Sequence, residues 1–173
     1  MSLPSAARGV TNVVIRCEAA KETGFLDLSD CQIMYIADAI YMIIRDSPVT
    51  KVSLMCNQMQ KFPKKMVTKL PGIRWVNFNQ NKISELPEEA GGWSLKGINA
   101  SANQFTAMPE VVFSWSELNV LDFADNQIKE LDVERLFESL PNLKGLNLAN
   151  NPLTSEVKER LEKLKPEQLI MQL

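Results

Sequence analysis

Residues 121–128 read LDFADNQI, and this octet decides the fold because its pattern recurs along most of the chain. Each copy has apolar residues at its first, third and eighth positions, and an asparagine or, once, a cysteine at its sixth. The six copies begin at residues 26, 52, 76, 98, 121 and 146. Their sixth positions are separated by 26, 24, 22, 23 and 25 residues. Copies at such regular spacing indicate an internal repeat, which must be recognised before single elements are assigned.

Each position of the octet has a physical reason. The alternating apolar residues predict a short strand with one buried face. The asparagine leaves the strand for a turn, where its amide can pair backbone groups that would otherwise be unsatisfied. We expect the stacked copies to form a structural ladder of six side chains: Cys31, Asn57, Asn81, Asn103, Asn126 and Asn151. Cys31 is interpreted as a structural substitute for asparagine rather than as a catalytic thiol.

The octet and its period resemble the leucine-rich repeat family over about residues 23–153. Proline follows an apolar residue in three copies, at Pro63, Pro87 and Pro109, which is similar to the common Leu-Pro step of that family. The resemblance implies an α/β fold, a leucine-rich repeat solenoid or horseshoe with six short parallel strands on its concave face. We expect the solenoid to be right-handed, because crossovers between parallel strands nearly always are.

The terminal repeats need caps, because each repeat contacts only its neighbours and the end copies would expose apolar faces. We therefore expect a single leucine-rich repeat domain over residues 1–173. It divides into an N-terminal cap (1–22), six repeats (23–153) and a C-terminal cap (154–173).

Both caps are predicted to be helical. Val10, Val13, Val14 and Cys17 have the spacing of one helix face, which predicts the inner side of the first cap. Ser155 is the predicted N-cap of the C-terminal helix. Apolar residues alternate over residues 169–173, which favours a final strand-like closure.

The composition argues against several classes of function. The 173 residues include 19 basic and 21 acidic side chains, for a net charge of −2, and no histidine. Without histidine, Ser-His-Asp and Cys-His nucleophile pairs and histidine metal ligands are excluded. We predict no enzymatic activity, no catalytic residues, no cofactor and no metal. The near-neutral charge and the lack of a run of ~20 apolar residues predict neither a nucleic-acid nor a membrane partner.

The cysteines and the N-terminal sequence predict a reducing compartment. Cys17, Cys31 and Cys56 are odd in number and widely spaced, so no disulfide framework can be built from them. The first twenty residues lack the continuous apolar core of a signal peptide. We expect a cytoplasmic location, with the nucleus as the alternative. The triplet Asn99-Ala100-Ser101 is a formal glycosylation sequon, which leaves a secreted recognition protein as a third interpretation.

The outward-facing strand residues should form the concave surface on which leucine-rich repeat proteins usually bind partners. Large side chains occur in its N-terminal half, whereas Gly97, Ala124 and Gly145 leave its C-terminal half nearly bare. We predict a non-catalytic protein–protein interaction module, an intracellular adaptor or regulatory subunit that is a monomer. Its predicted protein-binding residues are Trp75, Phe25, Met55, Asn77, Asp122, Lys51 and Asn99.

A second surface is basic and supports an alternative function. Four lysines lie within residues 61–69 and could attract anionic lipid or nucleic acid: Lys61, Lys64, Lys65 and Lys69. Glutamates of the following segment, such as Glu88 and Glu89, should lie nearby and favour a mixed, solvated face instead. The lysines thus support a competing hypothesis, a peripheral membrane or nucleic-acid binder, and the nearby glutamates argue against it.

Overall fold

The computed structural model describes residues 5–173, with side chains described from Gly9 onward. Seven parallel strands lie side by side in chain order, so that each repeat adds one strand to the same sheet. The strands are β1 (Phe25–Asp27), β2 (Lys51–Ser53), β3 (Trp75–Asn77), β4 (Gly97–Asn99), β5 (Val120–Asp122), β6 (Gly145–Asn147) and β7 (Ile170–Gln172). The predicted α/β solenoid of parallel strands is confirmed.

The sheet has seven strands, one more than the six predicted for the repeats, because the predicted strand-like closure near the C-terminus joins it as β7. β7 comes from the C-terminal segment and pairs in register with β6, so that Leu146 lies beside Met171. The backbone N–H of Leu148 donates to the carbonyl oxygen of Gln172 at 2.8 Å. The alternating apolar residues near the C-terminus therefore form one further strand of the same sheet, although no asparagine octet accompanies them.

Helices return the chain from one strand to the next and cover both ends of the sheet. The α-helices are α1 (Ser5–Thr23), α2 (Asp38–Ile43), α3 (Lys65–Lys69), α4 (Val133–Ser139) and α5 (Ser155–Leu164). Two returns are 3₁₀ helices instead, Glu88–Gly92 and Glu110–Ser114, and they belong to the two shortest repeats, of 22 and 23 residues. A 3₁₀ helix rises about 2.0 Å per residue against about 1.5 Å for an α-helix, so fewer residues span the same distance.

Five asparagines connect consecutive repeats through the same set of hydrogen bonds. The side-chain amide of Asn81 donates to the carbonyls of Leu54, in the preceding repeat, and Phe78, in its own, at 2.9 and 3.0 Å. Its oxygen accepts from the backbone N–H of Met59 at 3.0 Å. Equivalent bonds are made by Asn57, Asn103, Asn126 and Asn151.

The first repeat uses a different donor. The guanidinium of Arg16, on α1, donates to the carbonyl of Ser29 at 2.6 Å and lies 3.5 Å from the sulfur of Cys31. The Cys31 thiol itself donates to the carbonyl of Ser29 at 3.4 Å, and burial raises its pKa against the lowering effect of Arg16. Arg16 thus supplies charged donors to backbone oxygens at the place where no preceding asparagine repeat exists.

The residue before each ladder position has a left-handed backbone. These six residues have φ between 51° and 59°: Asp30, Cys56, Gln80, Ala102, Asp125 and Asn150. Left-handed backbone is least costly for glycine, asparagine and aspartate, because a Cβ otherwise crowds the carbonyl that follows. Ala102 is the member of this column that carries a Cβ without any polar group to compensate.

The caps differ from their predicted details. On α1, Cys17 and Ala20 are buried and Val13 is partly buried against the core, whereas Val10 and Val14 are exposed. The predicted inner face is therefore confirmed for Val13 and Cys17 and wrong for Val10 and Val14. On α5 the N-cap is Thr154, not Ser155, and its side chain accepts from the N–H of Val157. Residues 1–4 of the predicted N-terminal cap lie outside the described residues.

Ala102→Gly is expected to raise the free energy of unfolding by about 0.5 to 1 kcal/mol. Relief of the left-handed strain at φ 51° outweighs the greater chain entropy of glycine in the unfolded state. Ala149→Gly is the matched control, because Ala149 lies just before the left-handed Asn150 and is not left-handed itself. Glycine there should lower the free energy of unfolding by about 0.5 to 1 kcal/mol. Chemical denaturation of the three proteins measures this. Equal losses in both variants would contradict the strain argument.

Arg16→Met is expected to lower the free energy of unfolding by about 1 to 2 kcal/mol, because the carbonyl of Ser29 loses its charged donor. Arg45→Met is the control, since Arg45 is an exposed arginine paired with its neighbour Asp46 at 3.7 Å. Thermal unfolding followed by circular dichroism compares the two. If Arg16→Met unfolds at the same temperature as Arg45→Met, Arg16 does not stabilise the first repeat.

Candidate functional site

The solvent-facing side of the sheet, which was predicted as the concave surface, is called the outer face below. It carries a shallow depression of about 500 Å³ over strands β1 to β5. Two columns of side chains define this face. The first column holds the residue that begins each strand: Phe25, Lys51, Trp75, Gly97, Val120, Gly145 and Ile170. The second column holds the residue that ends each strand: Asp27, Ser53, Asn77, Asn99, Asp122, Asn147 and Gln172.

The benzene ring of the Trp75 indole covers Gly97, its neighbour in the first column. A Cβ added to Gly97 would be only 2.0 Å from Cζ3 and 2.2 Å from Cε3 of the indole. Glycine is therefore required at residue 97 for this ring position. Trp75 as a residue remains 41% exposed, so that its side chain contacts β4 and is also open to solvent.

This contact corrects the prediction that Gly97 leaves the C-terminal half of the sheet bare. The space above Gly97 is filled by an aromatic ring that begins on the preceding strand. Gly145 remains open, since a Cβ there would meet only the methyl groups of Val120 at 3.8 Å.

Apolar and charged side chains flank the indole along the first column. Phe25 and Val120 are exposed by 41% and 39%, respectively, and both line the depression. Lys51 lies between Phe25 and Trp75 in the strand register. An exposed aromatic ring with apolar neighbours and a polar surround is the composition expected at the centre of a protein interface.

The second column has a structural task that explains its asparagines and aspartates. In five strands the side-chain Oδ1 accepts from the backbone N–H two residues later, at 2.9 to 3.2 Å. These residues are Asp27, Asn77, Asn99, Asp122 and Asn147. Such a bond closes a local turn at the end of the strand. The residue type at these positions is therefore set first by the turn.

Several charged side chains near the depression have partners of opposite charge. Arg16 lies 3.8 Å from Asp27, and Lys96 and Arg74 lie 2.8 and 3.9 Å from Glu117. The hydrogen bond and the charge of Lys96 lower the pKa of Glu117.

Lys51 and Asp122 are the two charged side chains that line the depression. Within residues 9–173, neither has an ion-pair partner within 4.0 Å. Asp122 accepts hydrogen bonds from neutral groups instead: the N–H of Ala124 at 3.1 Å and the amide of Asn99 at 3.4 Å. The depression therefore has an unpaired cation at one end and an unpaired anion at the other.

Six of the seven predicted protein-binding residues line the depression: Trp75, Phe25, Asn77, Asp122, Lys51 and Asn99. Met55 lies outside this lining, at the end of the second repeat, where its sulfur is 3.9 Å from the amide of Asn77. Val120 and Gly97 were not selected from the sequence, yet both line the depression. Their alignment with Trp75 in the strand register is the signal that could have identified them.

The lysine cluster lies on the return segments, where acidic side chains are close. Lys65 is 2.8 Å from Asp38, and Lys64 is 4.0 Å from Glu89. All four lysines are exposed. The predicted proximity of acidic side chains is present for Glu89, and Asp38 adds a second pair that the sequence did not indicate.

The sequon asparagine is part of the outer face. Asn99 is half-buried on β4, and its Oδ1 accepts from the N–H and the hydroxyl of Ser101 at 2.9 and 2.6 Å. A glycan on Asn99 would project from a residue that lines the depression.

Over the described part of the chain, histidine, cysteine, aspartate and glutamate side chains form no group of three or more that could hold a metal ion. Among residues 5–173, no helix combines the length and the apolar character needed to span a bilayer.

Comparisons with known proteins support the leucine-rich repeat family. A family model of two leucine-rich repeats matches residues 116–164. Human podocan-like protein 1 is 32% identical over 108 residues, which are 60% of this chain and 20% of that protein. Mouse keratocan is 27% identical over 124 residues, which are 56% of this chain and 35% of that protein. The chain therefore spans about a fifth to a third of the length of these relatives.

Solved structures show the same fold. A leucine-rich repeat protein of Leptospira interrogans superimposes with a TM-score of 0.70 at 29% identity, covering 82% of this chain and 35% of that chain. The leucine-rich repeat domain of APL1B superimposes with a TM-score of 0.62 at 18% identity, covering 88% of this chain and 43% of that chain. The fold is a leucine-rich repeat solenoid.

Gly97→Ala is expected to displace the indole of Trp75 into solvent, because the new methyl group would occupy the position of the ring. Trp93 and Trp115 are buried, so the change in emission reports Trp75. We expect a red-shifted emission maximum and stronger quenching by acrylamide. Gly145→Ala, which adds a methyl group where space exists, is the control and should leave both unchanged. Unaltered fluorescence of Gly97→Ala would show that the ring does not rest on Gly97.

Proposed function

We propose that this chain is a non-catalytic protein–protein interaction module that binds another protein in the depression on the outer sheet face. One observation carries the proposal: the indole of Trp75 packs over Gly97, while the residue remains 41% exposed. A ring that is already positioned loses little conformational freedom on binding, which leaves more of its burial free energy for affinity. The leucine-rich repeat fold supports an interaction role of this kind.

The polar residues around the ring fit the same role. The amides of Asn77 and Asn99 and the charges of Lys51 and Asp122 surround the apolar centre. Interfaces commonly combine an aromatic anchor with a polar rim that selects the partner. We infer that Trp75 supplies most of the affinity and that Lys51 and Asp122 supply selectivity.

An intracellular adaptor or regulatory subunit, acting as a monomer, is the form of this proposal that the sequence favours. The cysteines support a reducing compartment, because Cys17, Cys31 and Cys56 are free and Cys31 acts as a hydrogen-bond donor. The relatives do not favour a cytoplasmic location. Fractionation of cells tests the compartment, and light scattering of the purified protein tests the monomer.

A secreted recognition protein is the second candidate, and the Asn99 sequon on the outer face is the observation that favours it. Intact-mass measurement of the natural protein decides between the two. A glycan at Asn99 would contradict the intracellular proposal and would also obstruct the depression. The lysine cluster has less support as a binding surface, because Lys64 and Lys65 already lie beside acidic side chains.

Trp75→Ala is expected to weaken binding of the captured partner about 30-fold or more, as removal of a central aromatic anchor usually does. Met42→Ala is the matched control, since Met42 is 76% exposed on α2, away from the outer sheet face. Affinity capture with wild type and both variants, followed by titration of the shared partner, measures the effect. If Trp75→Ala retains the partner as well as Met42→Ala does, the partner binds elsewhere.

A further inference from the structure

The depression is electrically polar, and its two unpaired charges face each other across the exposed indole. Lys51 begins β2 and Asp122 ends β5, so three strand spacings separate them. At about 4.8 Å per spacing, this distance is roughly 14 Å across the sheet. The two residues also differ by one column, which adds about 7 Å along the strands.

The ring of Trp75 lies between the two charges. It rests over Gly97 on β4, two strands from Lys51 and one strand from Asp122. Moving across the strands, a ligand would therefore meet a cation, an apolar surface and an anion in turn.

The surrounding charges do not cancel this polarity. Arg74 and Lys96 share Glu117, which leaves one positive charge beside the depression, but neither cation lines it; Asp27 has Arg16 at 3.8 Å. Charges that already have an opposite partner contribute little further to the selection of a ligand. Lys51 and Asp122 are thus the groups whose charge a ligand can complement.

We propose that the occupant of the depression is an extended peptide segment of another protein that carries an acidic and a basic side chain four positions apart, with an apolar side chain midway. The acidic group pairs with Lys51, the apolar group covers Trp75, and the basic group pairs with Asp122. This inference rests on the proposed function and specifies the chemistry of its partner.

The spacing of four follows from strand geometry. An extended chain rises about 3.4 Å per residue and presents every second side chain to the same face. Residues i, i+2 and i+4 of the segment therefore face the sheet together and span about 14 Å, and the length of the charged side chains covers the remainder of the roughly 16 Å between Lys51 and Asp122. Segments with like charges at both ends would place one charge beside its own sign.

Four capped pentapeptides test the inference. They share the sequence X-Ser-Leu-Ser-Z, in which X and Z are Glu and Arg, Glu and Glu, Arg and Arg, or Gln and Gln. Fluorescence of Trp75 is the readout, because Trp93 and Trp115 are buried, and Trp75→Phe provides the blank. At low salt we expect the Glu/Arg peptide to bind about five-fold to ten-fold more tightly than the Gln/Gln peptide, since exposed ion pairs are individually weak.

Two variants separate the charges from the fold. Lys51→Glu makes both ends of the depression acidic and should make the Arg/Arg peptide the tightest ligand. Asp122→Asn removes the anion but keeps the Oδ1 that accepts from Ala124, so that the turn at the end of β5 is retained. In this variant the Glu/Glu peptide should bind at least as tightly as the Glu/Arg peptide.

The inference is overturned if the Glu/Arg peptide binds no more tightly than the Gln/Gln peptide, if no peptide binds, or if Lys51→Glu leaves the order of affinities unchanged. These failures differ from failure of the proposed function. Loss of the captured partner in Trp75→Ala, together with such a result, would retain the binding face and reject only the charge pattern. Retention of that partner would reject the binding face itself.

Discussion

The bonds of the asparagine ladder are the constraint on which the rest of the structure depends. The amide of Asn103 donates to the carbonyls of Phe78 and Ala100, and its oxygen accepts from the N–H of Ile83. One side chain therefore satisfies backbone groups in two consecutive repeats. Because a buried backbone group without a partner costs about 1 to 3 kcal/mol, the ladder fixes both the spacing and the register of each repeat on the next. Arg16 extends the same principle to the first repeat, where its charged donors reach backbone oxygens from α1.

The candidate site is a consequence of this fixed register. Trp75 and Gly97 lie side by side because β3 and β4 are aligned residue for residue. A slip of one residue would place the indole against Ile98 or Lys96 and would turn every side chain of the strand to the opposite face. No ladder residue lines the depression, yet the position of the ring on the sheet depends on the ladder. The site is therefore built from side chains that the repeat pattern does not specify, and its position is fixed by the asparagines that the pattern specifies in repeats two to six.

The sequence predicts those features whose interacting residues lie close together along the chain, and it does not predict those that depend on distant residues. The strands, the buried columns and the six ladder positions depend on residues within one octet, and the octet specifies them. β7 lacks an octet, and Arg16 acts from outside the repeat, so neither could be recognised by the same pattern. Val10 and Val14 have the spacing of a buried helix face, but where α1 passes the edge of the sheet depends on tertiary packing. The position of the Trp75 ring over Gly97 depends on a side-chain torsion that no periodicity encodes.

The second column shows how such a scaffold can change its specificity without changing its structure. Asn99 and Asp122 occupy equivalent positions and make the same Oδ1 bond to the backbone two residues later. Exchange between asparagine and aspartate therefore leaves the turn intact while it adds or removes a charge on the outer face. The first column is freer still, because it is defined by the strand backbone alone and accommodates Lys51, Trp75 and Gly97 in consecutive strands. The shape of the outer face is thus determined mainly by the first-column side chains, whereas its charge can be changed in either column. The opposed charges of Lys51 and Asp122 are one such choice, and they are compatible with the fold because neither position requires its charge for stability.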